Sequence, residues 1–341
     1  MFLSICIPTF NRINCLNNCL NSIYISKKNF NHKFEVCISD NCSTENVEKI
    51  IDHYKDKINI KFKKNKTNIG LGKNIIESVS MAEGEYAWII GNDDLFLPNT
   101  LEKLHKLISL NNEVDYFYIN SFELDSKYIF NSDQPFDTNN LPNNMQKFSK
   151  QNISKNLKFF ELIKPEMSWD FCLGVFLSVF KRKKWVENLH VIDQKLIDDA
   201  TLYSNFDNTC PHVKIFSHAF SKSKAYFQAE PLSVALKGER EWKHLYDFIE
   251  IIRIPEILDL HKKQGLPMFQ YLYCKNFALR NFMNYLVKII LMREKGGSQY
   301  INFRKHIFRN LFFPNIYLSI IYFIFRKIFK NKFNKKDMIK N

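Results

Sequence analysis

Tyr86-Ala87-Trp88-Ile89-Ile90-Gly91-Asn92-Asp93-Asp94 is the stretch on which the fold turns. Its five apolar residues, aromatic, small and β-branched, read as a buried strand. The run stops at a glycine and puts two adjacent carboxylates at the strand's C-terminal tip. That edge is where open α/β sheets bind ligands. Neighbouring carboxylates repel unless a cation sits between them. A hard divalent ion with oxygen ligands meets that need and commonly brings phosphate with it. Pro98, Leu101, Leu104, Leu107 and Ile108 then follow at helical spacing. The acidic pair is therefore expected in a strand-to-helix turn. A solvated turn that only caps the helix is the plainer alternative.

The same alternation extends in both directions. Strands are expected at residues 3–7, 34–38, 58–62, 86–90 and 114–119. Helices are expected between them, carrying Ile13, Leu16, Leu20 and Ile23, then Val47, Ile50, Ile51 and Tyr54, then Ile75, Ile76 and Val79. Strands alternating with helices over short connections predict an α/β fold with a mostly parallel central sheet flanked by helices. From 121 to 158 the pattern fades into Asn, Ser, Pro135 and Pro142, as a long loop would. Residues 189–206 place Asp193, Asp198 and Asp199 among apolar residues at roughly helical spacing. Residues 213–216 and 225–227 look like two more strands, and beyond Glu239 the pattern is helical.

The 341-residue chain is 45% hydrophobic, enough for a sizeable core, and 49 Lys+Arg against 35 Asp+Glu leave +14. A basic surplus points to an anionic partner. Much of it lies at the C-terminus. There residues 311–325 are nearly all apolar and residues 326–336 are basic with interleaved aromatics. Fifteen apolar residues fall short of the ~20 a spanning helix needs. An interfacial helix on an anionic leaflet is expected instead. A core-docked helix with a solvated basic end is the alternative. No nucleic-acid module is visible, so nucleic acid is not expected as a partner. The eight cysteines lack zinc spacing and read as free thiols in a reducing cytoplasm. No basic-then-apolar leader stands at the N-terminus, so no signal peptide is expected. The abundance of Lys, Asn, Ile and Phe fits AT-rich bacterial coding.

Three expected strand tips carry polar residues: Pro8-Thr9-Phe10-Asn11-Arg12, Ser39-Asp40-Asn41 and Asn92-Asp93-Asp94. In a parallel sheet these ends lie side by side. Asp40 could accept hydrogen bonds from a nucleobase N–H or a ribose hydroxyl. Asp93, helped by Asp94, could hold a divalent ion across a diphosphate. Arg12 or Lys73 could offset phosphate charge.

These motifs, with Asn68-x-Gly70 before the third helix and Gly91-Asn92-Asp93-Asp94-x-x-x-Pro98 after the fourth strand, resemble family 2 glycosyltransferases over about residues 1–120. Phe176-Leu177-Ser178-Val179-Phe180-Lys181-Arg182 and Pro231-Leu232-Ser233-Val234, with Arg240 and Trp242 beyond, are weakly similar to the O-antigen branch that includes abequosyltransferases. The resemblance implies a GT-A fold, a nucleotide-sugar donor with UDP favoured, Mg²⁺ or Mn²⁺, and inversion at the anomeric carbon. It implies a donor half at 1–122, an acceptor half at 123–238, and a helical C-terminal extension at 239–341 with a membrane-associating tail. Pro8, Thr9, Asn11, Arg12, Asp40, Asn68, Gly70, Lys73, Asn92 and Asp93 would bind the donor. Asp93 and Asp94 would hold the metal. Gly91 and Asn92 depart from the family's Asp-x-Asp pattern, so Asp93-Asp94 must supply the charge.

Inversion needs a base for the acceptor hydroxyl, and a carboxylate within reach suffices. The family places it in the acceptor half. Asp199 and Asp198 are the candidates, with Asp170 and Asp193 behind them, and His218 could contact a phosphate. The implied enzyme works at the inner face of the plasma membrane on a lipid-linked acceptor of lipopolysaccharide, O-antigen or capsule assembly. A sugar nucleotidyltransferase is one alternative, but it would need a glycine-rich, lysine-bearing loop that residues 8–12 lack. A non-catalytic basic membrane-binding protein is the other, and it would bind no nucleotide.

Overall fold

The apolar runs on either side of the acidic turn become strands of one sheet. The sheet lies in Met1–Glu239, the first of two compact units; Arg240–Asn341 is the second. The computed structural model describes residues 1–28, 30–238 and 242–337, with side chains as far as Arg326. Arg240 of the later motif, and the side chains of the basic tail after Arg326, lie outside the described residues.

Strands β1 (Leu3–Thr9), β2 (Phe34–Asp40), β3 (Ile60–Lys64) and β4 (Tyr86–Ile89) lie parallel in the order β3-β2-β1-β4. Helices α1 (Ile13–Lys27), α2 (Val47–Tyr54) and α3 (Leu71–Ser80) make the crossovers. Leu3, Ile5, Cys6 and Ile7 are all buried, because helices cover both faces of a parallel sheet. Parallel alignment also brings the C-terminal ends together. Thr9 pairs with Asp40, and Asp40 pairs with Lys64.

Beyond β4 the sheet is mixed. β5 (Asp94–Phe96), unforeseen in the sequence pattern, pairs antiparallel with a strand about 140 positions later. Helix α4 (Thr100–Leu110) buries Leu101, Leu104 and Ile108 as expected. β6 (Tyr116–Asp125) outruns the expected 114–119 and crosses the 122/123 division. β7 (Gln146–Lys147) and β8 (Lys155–Lys158) are short edge pieces within the irregular segment. β9 (Ser178–Lys181) enters antiparallel between β4 and β6, and β10 (Lys224–Lys237) runs parallel to β6. The parallel order thus holds over β3 to β4 and ends where β9 intervenes. In β10 the register shifts between Gln228 and Ser233, around Pro231, which has no N–H for the ladder.

Two elements differ from expectation. Residues 213–216 form the middle of a helix, Pro211–Ala219, not a strand. Pro211 starts it, and buried Val213, Phe216 and Phe220 recur three and four apart. A four-residue run with three apolar positions does not by itself separate the two periods. The helical spacing across 189–206 breaks into single turns, Leu189–Val191 and Gln194–Ile197, followed by an open turn up to Phe206–Thr209. All eight cysteines are free. The second unit is helical, with Ile254–Lys263, Met268–Ala278, Phe282–Met292 and Pro314–Asp337 as its longer helices.

Candidate active site

The turns after β1 and β2 are bonded to each other. Asn11 N–H donates to the Ser43 hydroxyl at 2.9 Å, and Asn11 Oδ1 accepts from Thr44 N–H at 2.8 Å. Glu45 Oε2 accepts the first amide of α1, Ile13 N–H, at 2.9 Å. Asn11, expected to touch the donor, also braces the two turns against each other. Asp40 ends β2 fully buried. Its Oδ1 accepts from Ser43 N–H at 3.1 Å and from the Ser43 hydroxyl at 2.5 Å, while Oδ2 has no hydrogen-bond partner. An unsatisfied buried carboxylate oxygen is costly. A ligand N–H or O–H would satisfy it. Pro8 and Thr9 close β1 beside it.

The acidic turn joins the same corner. Asn92 Nδ2 donates to Thr9 Oγ1 at 2.8 Å, so Thr9 stands between Asn92 and Asp40. The Arg12 guanidinium donates to Asp93 Oδ2 at 3.0 Å, both side chains partly open to solvent. Asp94 behaves differently. Its carboxylate is buried, with Oδ2 accepting Gly91 N–H at 2.6 Å, and its backbone starts β5. The turn uses Asp94 internally, so Asp93 alone of the pair is presented at the tip. Asp93 also adds to the burial that pushes the nearby Cys15 thiol up to about 11.

The loop before α3 completes this side. Asn68 Oδ1 accepts from Asn41 Nδ2 at 2.8 Å and from Gly70 N–H at 2.9 Å, and Asn41 Oδ1 accepts Ile69 N–H. Asn74 on α3 is buried. It accepts from the Ser39 hydroxyl and from Asn65, and donates to the Ser39 carbonyl. Gly70 has φ +83°, and a Cβ there would lie 3.0 Å from Ala200 Cα. A Cβ on Gly72 would lie 2.5 Å from the Asn208 carbonyl oxygen. The chain around 198–208 therefore packs directly on the loop and first turn of α3. Two glycines permit that approach.

This contact brings the base candidates to the site from well over a hundred residues away. Lys73 Nζ lies 2.5 Å from Asp198 Oδ1, and that pairing holds the Asp198 carboxyl below its ordinary range. Asp199, next to Ala200, accepts from the Ser204 hydroxyl at 2.5 Å and from Thr201 N–H at 2.9 Å. These bonds hold its carboxyl low, the Ser204 hydroxyl first. Neither aspartate lies on a helix face; both sit in the turn after Gln194–Ile197. Asp193 is the N-cap of that helix, accepting from Lys195 N–H and Leu196 N–H. Asp170 lies in the turn Trp169–Cys172, and its charge adds to the burial that raises the Tyr118 hydroxyl on β6. His218 Nδ1 donates to the Lys214 carbonyl within its own helix.

Asn11, Cys42 and Tyr203 take left-handed φ of +46°, +66° and +58°. Three turns of this site thus hold a non-glycine residue in a sparsely populated conformation, as functional loops often do. Ser43, Glu45, Asn65 and Asn74 were not foreseen as site residues. The only hint was Asn74, a poor helix former inside a helical run. Among the described residues no group of three or more His, Cys, Asp or Glu forms a metal cluster. A divalent cation fits Asp93 only in the mode where one carboxylate holds it and substrate phosphate and water complete the shell.

Residues 4–165 match the model of "Glycosyl transferase family 2". An abequosyltransferase, RfbV of Salmonella typhimurium, is 44% identical over 103 residues, 30% of this chain and 31% of that protein. A poly(ribitol-phosphate) β-N-acetylglucosaminyltransferase, TarS of Staphylococcus aureus, is 34% identical over 104 residues, 30% of this chain and 18% of that one. The aligned stretches thus span less than a third of these relatives' lengths. The crystal structure of TarS 1–349 with UDP superposes with a TM-score of 0.57 at 17% identity, covering 89% of this chain and 77% of that one. Residues 4–165 therefore belong to glycosyl transferase family 2, and the sheet they begin has the GT-A fold.

Proposed function

We propose that this chain is an inverting glycosyltransferase that moves a sugar from a nucleoside-diphosphate donor to a saccharide acceptor, lipid-linked, in bacterial surface-polysaccharide assembly. The observation that carries the proposal is the shared corner of Thr9, Asp40 and Asn92, with the Arg12–Asp93 pair on it and the Asp199 turn packed against Gly70. Asp40 Oδ2 is an acceptor in want of a donor. The imide N–H of uracil or thymine supplies one. The match to TarS, whose structures hold UDP and UDP-GlcNAc, supports a uridine donor.

In this reading Asp93 would hold a divalent ion, which would supply positive charge for the departing diphosphate. A GT-A neighbour, a Pyrobaculum calidifontis mannosyltransferase, was solved with GDP-Man and Mn²⁺. Arg12 and Lys73 add positive charge beside the phosphates. Asp199, kept ionised by Ser204 and Thr201, takes the acceptor hydroxyl's proton as that oxygen attacks the anomeric carbon. The nearness of RfbV favours an O-antigen type of acceptor.

A thermal-shift screen of the full chain with UDP, dTDP, GDP and CDP, with and without Mn²⁺, tests this. A shift with UDP or dTDP that grows with Mn²⁺ is expected, followed by slow hydrolysis of one matching sugar donor. No shift with any nucleotide would overturn the proposal in favour of a non-catalytic role.

A further inference from the structure

Residues 240–341 hold 20 Lys+Arg against 7 Asp+Glu, so 13 of the chain's 14 surplus positive charges lie there. Residues 311–325 hold no charged side chain at all. The helix Pro314–Asp337 turns Ile316 and Ser319 inward, 1% and 2% exposed, and Ser319 Oγ accepts Met283 N–H. Tyr317, Leu318, Ile321 and Tyr322, on its other face, are 50–59% exposed. The helix thus carries large apolar residues on its outer face as well as on its packed one.

The chain packed against it also exposes large apolar side chains. Phe269 on Met268–Ala278 is 89% exposed, Leu291 on Phe282–Met292 is 76%, and Phe312 is 90%. Exposed Phe303 and Phe308 each precede an exposed arginine, Arg304 and Arg309. Leaving so much apolar surface in water is unfavourable. Aromatic side chains beside basic ones suit an anionic lipid interface. A second copy of the chain would set like charge against like. Among the described residues no single helix is long and apolar enough to cross a bilayer; Phe303–Asn310 and Pro314–Arg326 reach that length only together, bent by 92°. That geometry favours lying in the interface.

We infer that the C-terminal unit docks on an anionic membrane surface through a face that includes Phe269, Leu291, Phe312, Tyr317, Ile321 and Tyr322. The face is wider than the basic tail and draws on three helices. The inference stands on the surface chemistry of this unit and does not depend on glycosyl transfer.

Flotation of the full-length chain with vesicles of phosphatidylcholine and phosphatidylglycerol at 3:1, against pure phosphatidylcholine, tests it at 0.15 M salt. At least tenfold stronger partition onto the anionic vesicles is expected. The triple variant Phe312→Ser, Ile321→Ser, Tyr322→Ser should lose at least tenfold of it. Phe269→Ser with Leu291→Ser, on the other two helices, gives a second reading if the triple variant melts early. UDP binding, measured in parallel, should stay unchanged in every variant. Equal partition onto both vesicle types, or undiminished binding by both variants, would overturn the inference. So would a concentration-dependent dimer, abolished by the same substitutions, in a chain that ignores vesicles.

Discussion

Arg12 and Asp93, 81 positions apart, form an ion pair at 3.0 Å that ties the turn after β1 to the acidic turn after β4. The guanidinium stands where a divalent ion on Asp93 would supply positive charge. Bound donor would bring phosphates that both cations can share. Asp93→Asn is therefore expected to abolish the Mn²⁺-dependent part of nucleotide affinity, by at least tenfold in calorimetry, and to leave metal-free binding nearly unchanged. Arg12→Ala should weaken nucleoside-diphosphate binding by roughly ten- to a hundredfold, the worth of about one charge-assisted hydrogen bond. Equal Mn²⁺ enhancement in Asp93→Asn would remove Asp93 from its metal role.

Asp199→Asn should retain donor affinity and lose transfer by about 10²- to 10⁴-fold, the usual contribution of a general base. Its carboxyl is held low by the Ser204 hydroxyl and by Thr201. The base is therefore ionised throughout the neutral range, and activity falls only as acid drives pH through that lowered value. Ser204→Ala removes one donor to the carboxylate, so the acid limb of the kcat profile should move to higher pH. An unmoved limb would point to Asp198 or Asp170.

Gly72→Ala tests the packing that carries Asp199 to the site. The added Cβ would meet backbone, the Asn208 carbonyl oxygen at 2.5 Å, and no flexible side chain can yield there. Overpacking of this kind costs about 1–3 kcal/mol. A drop in Tm of roughly 2–4 °C per kcal/mol is expected for a unit of this size. Transfer should fall further than donor binding does. A melt and turnover like those of the parent chain would refute the close approach.

Glu256 in the second unit is buried with Arg253, Lys305 and His306 around it. Burial alone would raise its carboxyl. The His306 bond and the charges of Arg253 and Lys305 outweigh that and bring it to about 2, from 4.5 when unfolded. The folded value is the lower one. The stabilisation, on the order of 3 kcal/mol, is therefore complete above about 4.5 and is lost as pH falls towards 2. Glu256→Gln should destabilise this unit by about 3–5 kcal/mol near neutrality, because it strands the buried Arg253 guanidinium. It should also flatten the dependence of melting on pH between 4.5 and 2.

Strands β1, β2 and β4 and the helices between them were legible because each is a local pattern: apolar runs of strand length, punctuated by Pro8, Asn41 and Gly91. β5 was not, because three residues carry no periodicity and their partner in β10 lies about 140 positions away. The helix Pro211–Ala219 was misread for a related reason: Val213 to Phe216 alternates over too few residues to exclude either period. Asp40 and Asp93 were visible as strand-tip acids. The inward turn of Asp94 towards Gly91, and the bracing role of Asn11, were not, since both depend on hydrogen bonds that only the folded turns create.

The sequence by itself determined the βαβ order and put Asp40 and Asp93 at strand ends, because side-chain period and chain direction are local properties. Only the tertiary structure decided that Ala200, next to Asp199, packs on Gly70, that Arg12 meets Asp93, and that Phe269, Tyr317 and Tyr322 of the last helices face outward. Such contacts join residues separated by tens to more than a hundred positions. They form through packing across the sheet and around it, which no spacing along the chain encodes.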